Sequence, residues 1–274
     1  MALTVNTNLA SQNTMTNLAG STRGLGQALE RLSSGLRINK GADDAAGLGV
    51  ANNLRAASTS LKVAQRNAHD GISVIATAEG ATSEVGAIIE RMRELAVQSA
   101  SETLSDDERA YIQEEFSQQL AEIDRIANIT NFNGVQLGDG SNATLSVQVG
   151  IGSSADNQID ITLGDLSSAT LGIAAVNLST SAGATTAIDT FDTAIDTVNS
   201  YHSSYGAVQN RIESAVRNLE TYNDNLSAAE SVIRDADFAS EAAEMAKYQV
   251  MQQAGVSVLS QANQLSQSAL KLIG

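Results

Sequence analysis

Between Phe191 and Ile233, steps of three and four residues land on Phe191, Ala194, Val198, Tyr201, Tyr205, Val208, Ile212, Ala215, Leu219, Tyr222, Leu226, Ala229 and Ile233. Every one of these positions is apolar or aromatic. With 42% of the chain apolar, an unbroken run of this kind in a fixed register arises by chance roughly once in 10⁵ trials, so the heptad spacing is a genuine property of the segment. A helix through it is roughly 65 Å long at about 1.5 Å per residue. So narrow a stripe needs helical partners along its whole length, which predicts an elongated rod.

Two further stretches carry heptad registers, and the second, over forty residues long, should lie beside this one. From Ser11 a heptad register runs Met15, Leu18, Thr22, Leu25, Leu29, Leu32, Leu36. Gly20, Gly24, Gly26 and Gly35 interrupt it, each costing about 1 kcal/mol against alanine in a helix interior. The second stretch has the seam Leu54, Ala57, Leu61, Ala64, Ala68, Gly71, Ile75, Ala78, Thr82, Val85, Ile89, Met92, Ala96. Small residues recur along it, which lets a neighbouring backbone come close. Between the two stretches, Gly35 to Leu48 reads GLRINKGADDAAGL. This glycine-rich polar segment is a joint, with Asp43 or Asp44 as N-cap of the following helix. Ser105 to Glu108 forms a capping box opening a shorter helix with Tyr111, Ile112, Phe116, Leu120, Ile123 and Ile126 facing inward.

From Asn131 to about Thr186 the period changes. Leu145, Val147, Val149 and Ile159, Ile161, Leu163 alternate every second residue, separated by Gly, Ser, Asn and Asp, which is the pattern of a small hairpin-rich β region. Ser167 to Thr186 is rich in small and hydroxylated residues and is expected to be exposed and open to modification. After the long heptad segment, Arg234 to Ala239 (RDADFA) is a second polar joint. The last helix carries Tyr248, Met251, Gly255, Val258, Ala262, Leu265, Ala269 and Leu272 on one seam, with Val256, Leu259, Leu270 and Ile273 off it. Two apolar strips on one helix call for more than one partner. Neither end has enough apolar surface to offset the entropy of ordering it, so both ends are expected to be disordered in a lone chain and to fold on other copies.

Composition removes most other functions. There is no cysteine, proline or tryptophan among the 274 residues, which excludes a disulfide scaffold, a thiolate metal site and a cysteine nucleophile. His69 and His202 are the only histidines, and no H-E-x-x-H or other nucleophile motif is present. The acidic groups Asp106, Asp107, Glu108, Glu114 and Glu115 belong at a helix start for electrostatic reasons. Gly138, Gly140 and Ala143 fit G-x-G-x-x-A, but no helix pattern follows and no βαβ unit surrounds them, so no dinucleotide cofactor is expected. The expectation is a protein without catalytic, cofactor or metal sites. Net charge is −15 overall, yet residues 1–40 carry +3 and 241–274 carry 0, while 101–130, 131–190 and 191–240 carry −6, −5 and −5. Such a middle does not bind nucleic acid, and near-neutral ends approach copies of themselves at small Coulomb cost. No run of 18 apolar residues predicts a membrane span, and Met1 to Ala10 is no ordinary secretory signal. Sticky ends, two joints and a rod describe a subunit, and contacts that do not close on themselves build a helical filament.

The segments LRINKGADDAAGLGVANNL (Leu36 to Leu54), HDGISVIATAEGA (His69 to Ala81), RMRELAVQSA (Arg91 to Ala100), DDERAYIQEEF (Asp106 to Phe116), FNGVQL (Phe132 to Leu137) and IRDADFASE (Ile233 to Glu241) resemble bacterial flagellin, in the family order and over all but Gly138 to about Ala187. The resemblance implies a mainly α fold: an elongated antiparallel coiled-coil or helical-bundle rod with a small β-hairpin region and terminal helices that pair. It implies that residues 1–40 and 237–274 form an inner-tube helical domain, 41–130 and 187–236 a rod domain, and 131–186 a short outer part. The expected role is a secreted structural subunit of the flagellar filament, exported through the flagellar type III apparatus. Its expected neighbours are other copies, an export chaperone on the C-terminal helix, the filament cap and the hook-junction proteins. A hook-filament junction protein is the alternative. The expected subunit interface is Leu18, Leu25, Leu29, Leu32, Leu36, Met251, Val258, Leu259, Leu265, Leu270 and Leu272. By resemblance, a host innate-immune receptor would contact Arg91, Leu95 and Glu115.

Overall fold

The computed structural model describes residues 7–273, with side chains described for residues 7–264. It divides into two compact units, one of residues 58–224 and one that joins 1–57 with 225–274. The elements in chain order are α1 (Leu9–Ser34), α2 (Ala45–Ser99), α3 (Asp106–Ile129), β1 (Asn131–Phe132), β2 (Val135–Gln136), β3 (Thr144–Gln148), β4 (Gln158–Thr162), α4 (Ser181–Arg234) and α5 (Phe238–Ile273). The mainly α class and the small hairpin region are as expected.

In the unit of residues 58–224, α2 and α4 run antiparallel. Ser58 Oγ lies 2.7 Å from Asn223 Oδ1 at one end, and Arg93 Nε donates to Asp192 Oδ1 at 2.6 Å toward the other. The α2 seam read from the sequence is the buried one: Leu61, Ala64, Ala68, Ile75, Ala78, Val85, Ile89, Met92 and Ala96 are all buried. The α4 seam is buried at Phe191, Ala194, Val198, Tyr205, Val208, Ile212 and Leu219, while Tyr201 and Ala215 on it are half-buried and Val216 takes the buried place beside Ala215; Ala184 and Ala187 extend the line backward. Toward its far end the stripe opens, and Tyr222 is 45% exposed. By length and composition α2 could cross a membrane, although no span was expected from the sequence. Its apolar face is packed against α3 and α4 instead.

Helix α3 starts on the capping box read from the sequence, with the Glu108 N–H donating to Ser105 Oγ and the Ser105 N–H donating to Glu108 Oε2. Ile112, Phe116 and Ile123 point inward, and Phe116 meets Phe191 edge to face at 6.0 Å. Tyr111 was expected to face inward but is 77% exposed. The inward stripe 109, 112, 116, 123 rotates it outward, and the buried position on that turn belongs to Arg109. The Arg109 guanidinium donates to the carbonyls of Ser99, Leu104 and Ser101 at 3.0, 2.8 and 2.7 Å. It thereby satisfies carbonyls that the end of α2 and the following turn leave without helical partners.

The β region is two separate hairpins. Phe132 pairs with Val135 across the two-residue turn Asn133–Gly134, both residues at positive φ, as Asn-Gly hairpin turns favour. β3 pairs with β4 so that Leu145 faces Ile161 and Val147 faces Ile159, and the alternating residues read from the sequence cover Ile75, Tyr205 and Ile212 of α2 and α4. The segment after β4 differs from expectation. Ser167 to Thr186 is not an exposed tract: Leu171, Ile173 and Leu178 are buried, as is Leu166 just before it. Asp124 holds the segment down by accepting from the Ser168 N–H and hydroxyl at 2.9 and 3.0 Å, and Gln113 Oε1 accepts from the Leu178 N–H at 2.6 Å. Its small polar residues sit between widely spaced apolar anchors, a pattern with no regular period to read.

Candidate subunit interface

The unit of residues 1–57 and 225–274 is built from α1 and α5 lying against each other. Both helices are expected to be disordered in a lone chain and to fold by packing; in the structure each packs on the other. The reason lies in the glycines. A Cβ on Gly24 would lie 2.5 Å from the Tyr248 ring, and one on Gly255 would lie 3.2 Å from Leu18. Each helix therefore carries a notch that receives a side chain of its partner, and residues that weaken an isolated helix allow close packing in the pair. Asn8 caps α1 by accepting from the Ser11 N–H, and its side-chain amide donates to the Ala262 carbonyl at 3.0 Å. At the other end of the pair, Arg31 Nη1 meets Glu241 Oε1 at 2.9 Å.

The two polar joints hydrogen-bond to one another within this unit. Gly35 ends α1 in the left-handed conformation at φ 72°, and its carbonyl accepts from the Ala236 N–H at 2.9 Å. The Arg37 N–H donates to the Arg234 carbonyl at 2.7 Å, and the Arg37 guanidinium donates to the Ile233 carbonyl at 2.6 Å. Of the two candidate caps, Asp44 is the one that holds the helix start, accepting from the Gly47 N–H at 2.9 Å. Asp43 closes the turn before it by accepting from the Asn39 and Lys40 N–H groups at 3.2 and 3.1 Å. Those two donors, Lys40 first, hold its carboxyl below the usual aspartate range.

The intrachain seam is turned by one position from the register read in the sequence. In α1 the inward line runs through Leu18, Ser21, Leu25, Ala28 and Leu32, so Leu18, Leu25 and Leu32 are half-buried in the pair. Leu36 is also half-buried, at the joint. Met15 and Leu29 stand outside at 58% and 48% exposed. In α5 the inward line is Tyr248, Gln252, Gly255, Leu259 and Ala262. Leu259, expected off the seam, lies on it, while Met251 and Val258, expected on it, are 45% and 49% exposed. The shift follows from the notches: Gly24 and Gly255 set where the backbones approach, and flanking positions follow. Leu265, Leu270 and Leu272 lie outside the residues whose side chains are described. The pair therefore uses one stripe of each helix and leaves Met15 and Leu29 of α1 and Met251 and Val258 of α5 open to solvent.

In the other unit, Arg91 and Glu115 come together on the surface. Arg91 Nη2 donates to Glu115 Oε1 at 2.9 Å, and Arg91 Nη1 donates to Glu94 Oε2 at 2.9 Å. These two carboxylates, Glu94 first, raise the guanidinium further above its ordinary value. Leu95 does not join them. It is 1% exposed and packs in the core beneath, because it continues the inward stripe of Met92 and Ala96, so it offers no accessible surface to a receptor. Residues that the sequence did not reveal are Arg109, Gln113, Asp124 and the Arg31–Glu241 pair. The only signal for Arg109 was a lone arginine in an otherwise acidic first turn.

A paired-helix unit that keeps apolar stripes open on both helices, joined to a well-packed bundle unit, defines a coiled-coil subunit of a protein polymer. The N-terminal helical region of bacterial flagellin matches residues 5–143, and the C-terminal helical region matches residues 188–273. A flagellin of Halalkalibacterium halodurans is 42% identical over 98% of this chain and 99% of its own length. The flagellar filament 33 kDa core protein of Treponema phagedenis is 38% identical over the same shares. Among solved structures, Bacillus cereus flagellin is similar at a TM-score of 0.50 and 30% identity, over 60% of this chain and 94% of that one. The chain belongs to the bacterial flagellin family, and it is a structural subunit of the flagellar filament.

Proposed function

We propose that the subunit polymerises through the outward apolar stripes of α1 and α5, with the intrachain pair serving as the preformed building block. The observation that carries this reading is the exposure of Met15, Leu29, Met251 and Val258 beside a seam that is already closed. Stripes of this kind fit neighbouring copies of the same pair. Leu18, Leu25, Leu32, Leu36 and Leu259 contribute by fixing the pair itself, Leu265 and Leu272 continue the C-terminal stripe in sequence, and Leu270 lies on the strip beside it. The division of labour follows the joints: 1–40 and 237–274 form the inner tube, 41–130 and 187–236 the rod, and 131–186 a short outer part. The role is structural and requires no catalysis.

The same reading gives the chain a route and neighbours. A subunit with open apolar stripes must be kept from polymerising before export, so an export chaperone covers the C-terminal helix. The subunit leaves by the flagellar type III route and meets the cap and hook-junction proteins at the ends of the filament. The exposed Arg91–Glu115 pair is the surface for an innate-immune receptor, with Leu95 supporting it from below. Arg91→Ala tests this point, since unchanged receptor activation would remove the pair from the contact. The assembly reading is tested by electron microscopy of the purified chain with and without residues 245–274. The full chain is expected to extend filament seeds, and the shortened one to lose this while residues 58–224 stay helical by circular dichroism. Filaments from the shortened chain would overturn it.

A further inference from the structure

Two of the chain's methionines occupy equivalent places on the open stripes. Met15 on α1 is 58% exposed, seven residues before Thr22 and fourteen before Leu29. Met251 on α5 is 45% exposed, seven residues before Val258. Met92 gives the contrast, buried at 0% in the bundle of residues 58–224. We propose that Met15 and Met251 are sites of oxidation in the unassembled subunit, and that their conversion to sulfoxide reversibly blocks polymerisation. The inference rests on the assembly reading above and adds a chemical control to the same surface.

The chemistry needs only a peroxide. The thioether sulfur attacks one peroxide oxygen, an S–O bond forms as the O–O bond breaks, and the other oxygen leaves as water after proton transfer. Sulfur is oxidised by two electrons and the peroxide is reduced by two. Accessibility decides which methionines react, so Met15 and Met251 are the most open of the described methionines, Met245 on α5 is half-buried, and Met92 is shielded by its neighbours. The product changes the stripe in kind. A flexible apolar side chain becomes a polar one with a strong acceptor oxygen, and a polymer contact would bury that oxygen among Leu29, Val258 and their counterparts without a donor. The intrachain seam is untouched, because neither methionine lies on it, so the subunit stays folded. Methionine sulfoxide reductases restore the thioether, which makes the block reversible.

The test uses the full chain treated with dilute hydrogen peroxide and mapped by peptide mass spectrometry. At a dose chosen so that the half-buried Met245 gains none, Met15 and Met251 are expected to gain one oxygen each while Met92 gains none. The treated subunit, with its circular dichroism unchanged, should need about a tenfold higher concentration to extend filament seeds. Reductase treatment should restore the original threshold. A Met15→Leu/Met251→Leu chain keeps the apolar volume and should extend seeds equally before and after peroxide. Seed extension at an unchanged threshold by a subunit shown to carry both sulfoxides would overturn the proposal. An equal loss in the double-leucine chain would do the same. Failure of the untreated natural chain to extend seeds would instead remove the assembly reading and this inference with it.

Discussion

The two units use the same heptad repeat and differ in how far they close it. Within residues 58–224, helices α2, α3 and α4, the hairpins and the segment after β4 enclose large side chains, with Phe116, Phe191, Tyr205, Ile89 and Met92 fully buried. Within residues 1–57 and 225–274, the buried apolar residues among those described are Ala28, Ile38, Ala51 and Ala262. Larger ones such as Leu9, Val250, Val256 and Phe238 are exposed beside the methionine stripes. One unit has three helices plus a β layer around its seam and is complete. The other has the α1–α5 pair with only short ends of α2 and α4, and two paired helices cannot cover all of each other's apolar surface. The difference shows where a subunit of this kind keeps its stability and where it keeps its capacity to join.

The sharpest way to break that comparison is one deletion made in both places. Phe116 is 1% exposed and Phe238 is 59% exposed. Phe116→Ala should lower stability by about 3–5 kcal/mol, since it leaves a cavity against Phe191. Phe238→Ala should stay within about 0.5 kcal/mol. Urea unfolding followed by circular dichroism reads both, and equal losses would mean that the second unit has a hidden core. Arg109→Met should come next, at about 3 kcal/mol, because three carbonyls near the end of α2 lose their donor in a buried place. If the Arg109→Met chain melts like the natural one, water has replaced the guanidinium and the turn is looser than its hydrogen bonds imply.

The bundle unit was far more legible in the sequence than the paired unit, for a physical reason. A buried seam takes apolar residues almost throughout, with Thr82 admitted because its hydroxyl donates to the Ala78 carbonyl, so the α2 and α4 lines from Leu61 to Ala96 and from Phe191 to Leu219 stand out by period alone. The two-residue alternation of Val147, Ile159 and Ile161 is equally explicit. In α1 and α5, both the closed stripe and the open one are apolar, so period cannot say which is which. The heptad register runs through Met15, Leu29, Met251 and Val258 and leaves Leu259 off it, one position from the buried line. Gly24 and Gly255 held the answer but read as weak points, because a notch is defined only by the partner that fills it. Arg109, Gln113 and Asp124 were illegible for a related reason: each acts on backbone groups of a different segment, and backbone groups leave no sequence signature.

Glycine substitution sharpens the comparison inside the paired unit, at a smaller scale. An alanine at Gly20 or Gly26 meets nothing within 4 Å, so Gly20→Ala and Gly26→Ala should each stabilise α1 by about 1 kcal/mol through helix propensity. Gly24→Ala gains the same propensity but pushes against the Tyr248 ring, and overpacking costs about 1–3 kcal/mol, so the sign should reverse. Amide hydrogen exchange along α1 separates them: protection rises for the first two and falls for the third. Protection that rises for Gly24→Ala as well would show that Tyr248 is free to move aside and that the notch does not set the register.

The smallest expected effect concerns two carboxylates, one in each unit. Asp43 accepts from the Asn39 and Lys40 N–H groups in the joint, and Glu108 accepts from the Ser105 N–H and hydroxyl at the start of α3. In both cases these donors, with the backbone first, lower the carboxyl's pKa from its usual value. A pKa lower in the folded chain than in the unfolded one means that the folded state prefers the charged form. The stabilisation is therefore fully present above the ordinary carboxylate range, near pH 4, and is lost as pH falls through the lowered folded values. Both groups are exposed and the effect is screened by water and salt, so it should be seen as a local change and not as global unfolding. Carbon-13 NMR of the two carboxyls should show midpoints below those of model peptides. Asp43→Asn keeps an acceptor for the turn while removing the titration, so the Asn39 and Lys40 amide shifts should then stop moving with acid, while the Ser105 shift still moves. A midpoint for Asp43 at or above the peptide value would show that its charge plays no part in closing the Asn39–Lys40 turn, leaving the joint to the Gly35–Ala236 and Arg37–Arg234 backbone pairs and the Arg37 guanidinium.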